Sequence, residues 1–187
     1  MGRIVISENV SLDGVIEDPA GVEGFEHGGW VGKLTARPAT GEHALEEALG
    51  AEAFLLGRRT YAFLAERWPS RTGALADRLN KLPKYVVSST LEHPQWNNTT
   101  VLGGDVVEEV SRLKHELDGE IIVAGSIQLV RTLMERDLAD ELRLLVYPVV
   151  LGAGDRLFGE TGEKQPMRLV GTKSGDDVAF LTYEFGA

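Results

Sequence analysis

The chain reads as an α/β protein with a mixed, mainly parallel sheet that finishes in antiparallel strands. Three observations predict this. Apolar runs alternate with helical patterns through the first two thirds, which is the signature of parallel βα units. The tail is rich in strands instead and implies an antiparallel edge. Finally, the 187 residues show no internal repeat, linker or low-complexity tract. One domain spanning 1–187 is the economical reading.

The elements follow in order. Arg3 to Val10 is an apolar strand, and Ser11 to Gly41 a long Gly-, Asp-, Glu- and Pro-rich loop. Loops of that length in compact domains are functional or disordered. Glu42 to Leu49 is a short helix ended by Gly50. Ala53 to Leu56 is a strand, Arg59 to Glu66 a helix, and Thr72 to Leu82 a helix stopped by Pro83. Lys84 to Ser88 and Thr99 to Leu102 are strands. Asp105 to Leu117 is a helix with Val106, Val110, Leu113 and Leu117 on one face. Glu120 to Ala124 is a buried strand, and Gly125-Ser126 opens a helix through Met134. Glu141 to Val150 is a long strand. Met167 to Thr172 and Val178 to Phe185 form a closing pair around the turn Ser174-Gly175-Asp176-Asp177.

Composition narrows the function. Hydrophobic residues make up 43% and charged residues 26%, a globular profile without a bilayer-spanning run. The start of the chain lacks the pattern of a secretory signal, and a cytoplasmic setting is expected. With no cysteine, disulfides, cysteine–zinc sites and thiol nucleophiles are excluded. A net charge of −10 argues against general nucleic-acid binding. An anionic ligand is compatible only where local cations and backbone amides override that field.

Three strand ends have the character such a ligand needs. Leu56-Gly57-Arg58-Arg59-Thr60 breaks an apolar run at a glycine and follows it with two guanidiniums. Val86-Val87-Ser88-Ser89-Thr90 and Val123-Ala124-Gly125-Ser126-Ile127 likewise put small or hydroxylated residues just beyond a strand. In open α/β sheets that edge binds ligands. Helix starts attract anions, and arginine forks suit phosphate. The hydroxyls of Thr60, Ser88, Ser89 and Ser126 have two readings: they donate to phosphate, or they cap the next helix. Each segment alone reads as an ordinary turn or cap; together they favour a dinucleotide site.

Other candidates are weaker. Val101-Leu102-Gly103-Gly104-Asp105 lacks a full Gly-rich fingerprint. It reads as a loop with an Asp cap, with Gly104 open to the cofactor. His27, His43, His93 and His115 have no metal-ligand spacing, so no metal is expected. No nucleophile elbow occurs, which excludes an ordinary serine hydrolase. Glu8, Asp13, Glu17 and Asp18 flank the first strand. A carboxylate there is either a proton donor or a solvated loop acid. Asp13-Gly14 is also a turn signal. Trp30 either stacks on a ring or covers the core edge.

Together, strand-Gly-Arg-Arg-Thr-Tyr, strand-Ser-Ser-Thr and strand-Ala-Gly-Ser resemble the dihydrofolate reductase-like superfamily. The closer similarity is to the C-terminal reductase domain of bifunctional riboflavin-biosynthesis deaminase-reductases. Ser11-Leu12-Asp13-Gly14 and the run from Tyr147 to Phe158 carry that part of it. The resemblance covers nearly the whole chain. It implies a dihydrofolate reductase-like sheet with helices on both faces and NADPH across its C-terminal edge. Gly57, Arg58, Arg59 and Thr60 would meet phosphates, with an arginine near the 2′-phosphate. Ser88, Ser89 and Thr90 would hold the adenosine side, and Gly125, Ser126 and Ile127 the pyrophosphate. Asp13, Gly14 and Trp30 would border the substrate, with Asp13 as a substrate contact or proton relay. The resemblance further implies a homodimer and a small heterocyclic substrate.

The departures are specific. Dihydrofolate reductase uses a buried carboxylate after its first loop. Glu42 lies near that place here, but Gly41 is as close in register. The zinc deaminase half of the bifunctional enzymes has no counterpart in this cysteine-free chain. Two functions fit: a stand-alone NADPH-dependent reductase, or a non-catalytic nucleotide-binding dimeric module on the same fold.

Overall fold

A computed structural model describes residues 1–32, 37–159 and 164–186. The elements are β1 (Arg3–Ser11), α1 (Pro38–Gly50), β2 (Ala51–Gly57), α2 (Arg58–Arg67), α3 (Ala74–Lys81), β3 (Lys84–Val87), β4 (Thr99–Leu102), α4 (Val106–Glu116), β5 (Glu120–Ala124), α5 (Ile127–Glu135), β6 (Glu141–Tyr147), β7 (Met167–Gly175) and β8 (Val178–Phe185). The strands hydrogen-bond in the order β4-β3-β2-β5-β1-β6-β8-β7. This is the mixed α/β sheet expected, with antiparallel strands at the C-terminal end. The chain divides into two compact units, Met1–Ile6 with Ala44–Asp140, and Ser7–His43 with Glu141–Ala187.

The first unit contains the parallel ladder. β2 pairs in parallel with β3 on one side and β5 on the other, and β3 pairs in parallel with β4. Leu55, Leu56, Ile121 and Val123 are fully buried and Ile122 nearly so. Strands covered on both faces read as continuous apolar runs, which is why no alternation marks β2 or β5 in the sequence. Phe54, Leu56, Tyr61, Leu79, Leu82, Val86 and Trp96 belong to one core cluster.

Two helix ends depart from expectation. α1 ends at Gly50 as expected, but with Gly50 as its last helical residue rather than a cap beyond Leu49, and β2 starts at the next position. Arg78 of α3 explains this, because its Nε and Nη2 donate to the carbonyls of Ala48 and Ala51 at 2.8 and 2.6 Å. A side chain from elsewhere thus satisfies the helix-end carbonyl of Ala48 and, just beyond the helix, that of Ala51. α1 also starts at Pro38 rather than Glu42. Proline suits a first helical position, and the Ala39 N–H donates to Asp176 Oδ2 at 2.5 Å.

Two lysines are built into this unit. Lys84, fully buried, donates from Nζ to the carbonyls of Asn80, Leu82 and Asn97 at 3.3, 2.7 and 3.0 Å. Its Nζ also lies 4.3 Å from the Trp96 ring centre. Three carbonyls match the three donors of an ammonium, while burial lowers its pKa to about 8. Lys114 of α4 is buried and bonds Leu138 O at 3.0 Å and Asp140 Oδ2 at 2.6 Å. The same Asp140 oxygen accepts from Ile4 N at 2.7 Å. The pair therefore ties α4, the start of β1 and the segment after α5 together.

In the second unit β6 and β7 flank β8 antiparallel. β6 ends at Tyr147 rather than Val150, since Pro148 has no N–H for the ladder. The closing turn is tighter than expected. Ser174 and Gly175 pair with Ala179 and Val178, leaving Asp176-Asp177 as a two-residue loop. Both have positive φ, 55° and 65°, as a type I′ hairpin turn requires. Leu145, Tyr147, Val178 and Phe180 form the core, with Trp30, Val31, Ala39 and Val149 packed on it.

Two measurements check these braces. Replacing Lys114 with Met leaves Asp140 without its ammonium and should lower unfolding free energy by about 2–3 kcal/mol in urea, less than for a fully buried pair because Asp140 is part-exposed. For Lys84 the folded pKa lies below the usual lysine value of 10.5. The unfolded chain then binds more protons between pH 8 and 10.5, so stability rises with pH across that window. Wild type should gain urea resistance relative to Lys84→Met as pH climbs from 8 to 10.5; parallel curves would contradict the buried ammonium.

Candidate active site: an anion-receptive sheet edge

The C-terminal ends of β2, β3, β4 and β5 lie along one edge of the parallel ladder. Gly57 pairs in register with Val87, and Val87 with Leu102. Leu55 pairs with Val123, so Gly57 and Gly125 leave the sheet side by side. The connection after β2 leads through α2 toward β3. The connection after β5 leads through α5 to β6, on the other side in the strand order. Neighbouring parallel strands whose connections diverge form a topological switch point, where open α/β sheets bind ligands.

Two helices begin at that point, and no side chain caps either of them. The N-cap of α2 is Gly57, and that of α5 is Ser126. Their first N–H groups therefore keep the partial positive charge that attracts an anion. Arg58 and Arg59, the first residues of α2, are exposed. Neither makes an ion pair or side-chain hydrogen bond among the described residues.

The expected contacts divide in the structure. Thr60 and Ser126 bond to each other's segments. Gly57 N donates to Ser126 Oγ at 2.9 Å, and Ser126 N donates to Thr60 Oγ1 at 2.9 Å. Gly125 has φ of 58°, and a Cβ there would meet Thr60 at 3.1 Å, so this position requires glycine. Ile127 is the first residue of α5. Ser88 Oγ accepts from the N–H groups of Thr90 and Leu91 at 3.2 and 3.0 Å, which folds its own turn. Ser89 and Thr90 are exposed beside it. Gly104 shares the edge, but its helix start is filled. The carboxylate of Asp105 accepts from Val107 N and Glu108 N, as the cap reading predicts.

The substrate candidates belong to the second unit, where they hold a loop. Asp13 accepts from Ser11 Oγ at 2.7 Å, Leu151 N at 3.1 Å and Gly152 N at 2.8 Å. These bonds hold its pKa down to about 2. Of the two expectations for Asp13, this ionised state suits a substrate contact better than a proton relay. Its hold on the loop is complete above the ordinary aspartate range and fades as pH falls toward 2. Gly14 turns with φ of 85° and accepts from Leu157 N at 3.0 Å. Trp30 donates from Nε1 to Glu17 O at 2.9 Å and sits edge-on to Tyr147 at 5.5 Å. That is the core-edge reading of this tryptophan. Asp18 organises the rest of the loop. Its burial opposes ionisation, but bonds from Val22, Glu23, Phe25 and Gly21 N–H groups hold its pKa below the usual value.

Sequence reasoning did not foresee the mutual bonding of residues 57, 60 and 126. The nearest signal is a serine at a helix start with glycine before it, which ordinarily marks a cap. Among the described residues no cluster of His, Asp and Glu could hold a metal ion, and no helix is long and apolar enough to cross a membrane.

Comparison with known proteins agrees with this architecture. The chain is 26% identical over 177 residues to YyaP of Bacillus subtilis (strain 168), covering 92% of this chain and 88% of that protein. It is 34% identical over 99 residues to YwjB of the same organism, covering 53% of this chain and 57% of that protein. Both are described as uncharacterized. Among solved structures, a putative riboflavin biosynthesis protein from Shewanella sp. PV-4 superposes with a TM-score of 0.75 at 22% identity, covering 99% of both chains. A pyrimidine reductase-like protein from Corynebacterium diphtheriae gives a TM-score of 0.62 at 12% identity, covering 99% of this chain and 92% of that one. At these identities both share the fold. The family described as RibD C-terminal domain matches residues 3–180, and the chain belongs to that family.

Proposed function

We propose that this protein is an NADPH-dependent reductase that delivers hydride to a small heterocycle of the 5-amino-6-(5-phosphoribosylamino)uracil or pteridine class. The observation that carries the reading is the pair of uncapped helix starts at the switch point, with Arg58 and Arg59, unpaired among the described residues, opening α2. Membership of the RibD C-terminal domain family supports a reductase of riboflavin-pathway type. The name of the pyrimidine reductase-like relative supports a pyrimidine-like substrate. A cytoplasmic homodimer is part of the same reading.

The donor set fits a dinucleotide phosphate group: backbone N–H groups from two helices, two arginines, and exposed hydroxyls at Ser89 and Thr90. The N–H groups at the starts of α2 and α5 would hold the pyrophosphate. Arg58 or Arg59 would take the 2′-phosphate, and Ser89 and Thr90 would flank the adenosine. When bound, NADPH supplies the hydride. The protein's share is to fix orientation and exclude water. Asp13, as a permanent carboxylate, orders the loop that carries Gly14.

The alternative is a nucleotide-binding module without turnover, favoured by the lack of an assigned proton donor. A thermal-shift series separates the cases. NADPH at a hundred times its Kd should add about 2.7 kcal/mol of stability, and absence of any shift would overturn the reading. Oxidation of bound NADPH by a panel of pterins and aminopyrimidines identifies a reductase, whereas binding without oxidation by any of them identifies the module. Replacing the phosphate-contacting arginine, Arg58 or Arg59, with Ala should weaken NADPH about ten- to a hundredfold and NADH much less. Equal losses for both cofactors would remove the 2′-phosphate assignment.

A further inference from the structure

We propose that Thr60 and Ser126 are positioning residues: they stitch the starts of α2 and α5 together and leave both sets of helix N–H groups facing the ligand. The inference rests on the cofactor reading above and departs from the expectation that these hydroxyls bind phosphate.

The geometry is unusual for a helix start. A serine at the N-cap position normally turns its oxygen onto the second or third N–H of its own helix. Ser126 does not. Its Oγ accepts from Gly57 N at 2.9 Å, at the end of the neighbouring strand, and donates to Ala124 O at 3.3 Å. The one proton of that hydroxyl is committed, so it has no donor to offer a phosphate. Thr60, in the first turn of α2, accepts from Ser126 N at 2.9 Å. The two residues therefore hold each other's segments.

The backbone is shaped to permit this. Gly125 and Ser126 are consecutive left-handed residues, with φ of 58° and 60°. Residues with a side chain adopt that conformation at a cost and keep it where surrounding contacts enforce it. Here the enforcing contacts are the two bonds to residues 57 and 60. A Cβ on Gly125 would come within 3.1 Å of both Oγ1 and Cγ2 of Thr60, so the stitch also closes sterically. The outcome is a chain that turns sharply out of β5 and starts α5 beside the start of α2. With both hydroxyl oxygens facing each other's backbone, the N–H groups of both helices stay uncapped. A site whose donors are fixed before binding loses less freedom when the ligand arrives.

The test uses the full chain and two readouts. Hydrogen exchange of the Gly57 and Ser126 amides, followed by NMR without ligand, reports the stitch. Isothermal titration with NADPH reports the seat. Thr60→Val should speed exchange at Ser126 and weaken NADPH about three- to tenfold. Thr60→Ser, which keeps the oxygen, should restore both. Ser126→Gly, which relaxes the left-handed strain while deleting the hydroxyl, should speed exchange at Gly57 and weaken NADPH by a similar factor. Arg58→Ala should leave both amides unchanged, since it touches neither bond. Weaker NADPH in Thr60→Val with unchanged exchange would mean that Thr60 is a direct ligand and overturn the proposal. Faster exchange with unchanged NADPH affinity would overturn it as well. Failure of the wild type to bind NADPH sinks the cofactor reading and the positioning role with it, and the exchange data then decide the stitch alone.

Discussion

What this protein offers an anion follows from the position of β2 between β3 and β5. Parallel pairing on both sides forces three strands to end at the same edge. Because the chain leaves β2 through α2 toward β3 and leaves β5 through α5 toward β6, on the other side in the strand order, the two outgoing helices begin next to each other. Helix starts carry unpaired N–H groups whatever the sequence. The topology therefore concentrates positive potential at one place, and the residues there need only avoid cancelling it. Gly57 and Gly125 do so by lacking side chains, and Ser126 by bonding sideways. Asp105 does the opposite at α4, where its carboxylate fills the helix start.

The charge balance sharpens the contrast. The chain has 29 acidic and 19 basic residues, so carboxylates are plentiful. Arg67, Arg112, Arg143 and Arg168 all pair with a glutamate. The exposed pairs of Arg112 and Arg168 add little to stability, but they show that a carboxylate is within reach of arginines on this surface. Arg58 and Arg59 have no such partner among the described residues, a condition they share with the exposed Arg136, but only they stand at the start of a helix on the sheet edge. Two guanidiniums unpaired among the described residues, at the start of α2, are a local reversal of the protein's overall sign.

Much of this was legible in the sequence, for physical reasons. β5 and β8 have the expected limits, because a run such as Ile121-Ile122-Val123 has no stable alternative to a strand buried on both faces. The three strand ends were recognisable because glycine and hydroxyl residues follow the apolar runs directly. What the sequence hid depends on partners far along the chain. α1 starts early because Asp176 reaches its N–H from 137 residues away. It ends without a glycine cap because Arg78 supplies the donors. Ser126 looks like a cap because a local pattern cannot reveal that its hydroxyl meets Gly57, 69 residues earlier.

The long loop after β1 shows the same principle and constrains the chemistry. Its length and composition read as functional or disordered, and among its described residues Asp13 accepts from the N–H groups of Leu151 and Gly152 and Asp18 from those of Val22 and Phe25. A carboxylate that accepts several N–H bonds is stabilised in its charged form. The bonds that order the loop are therefore the same bonds that keep Asp13 ionised, with its pKa at about 2. An aspartate held this way is suited to anchoring the loop rather than to holding a proton near neutrality.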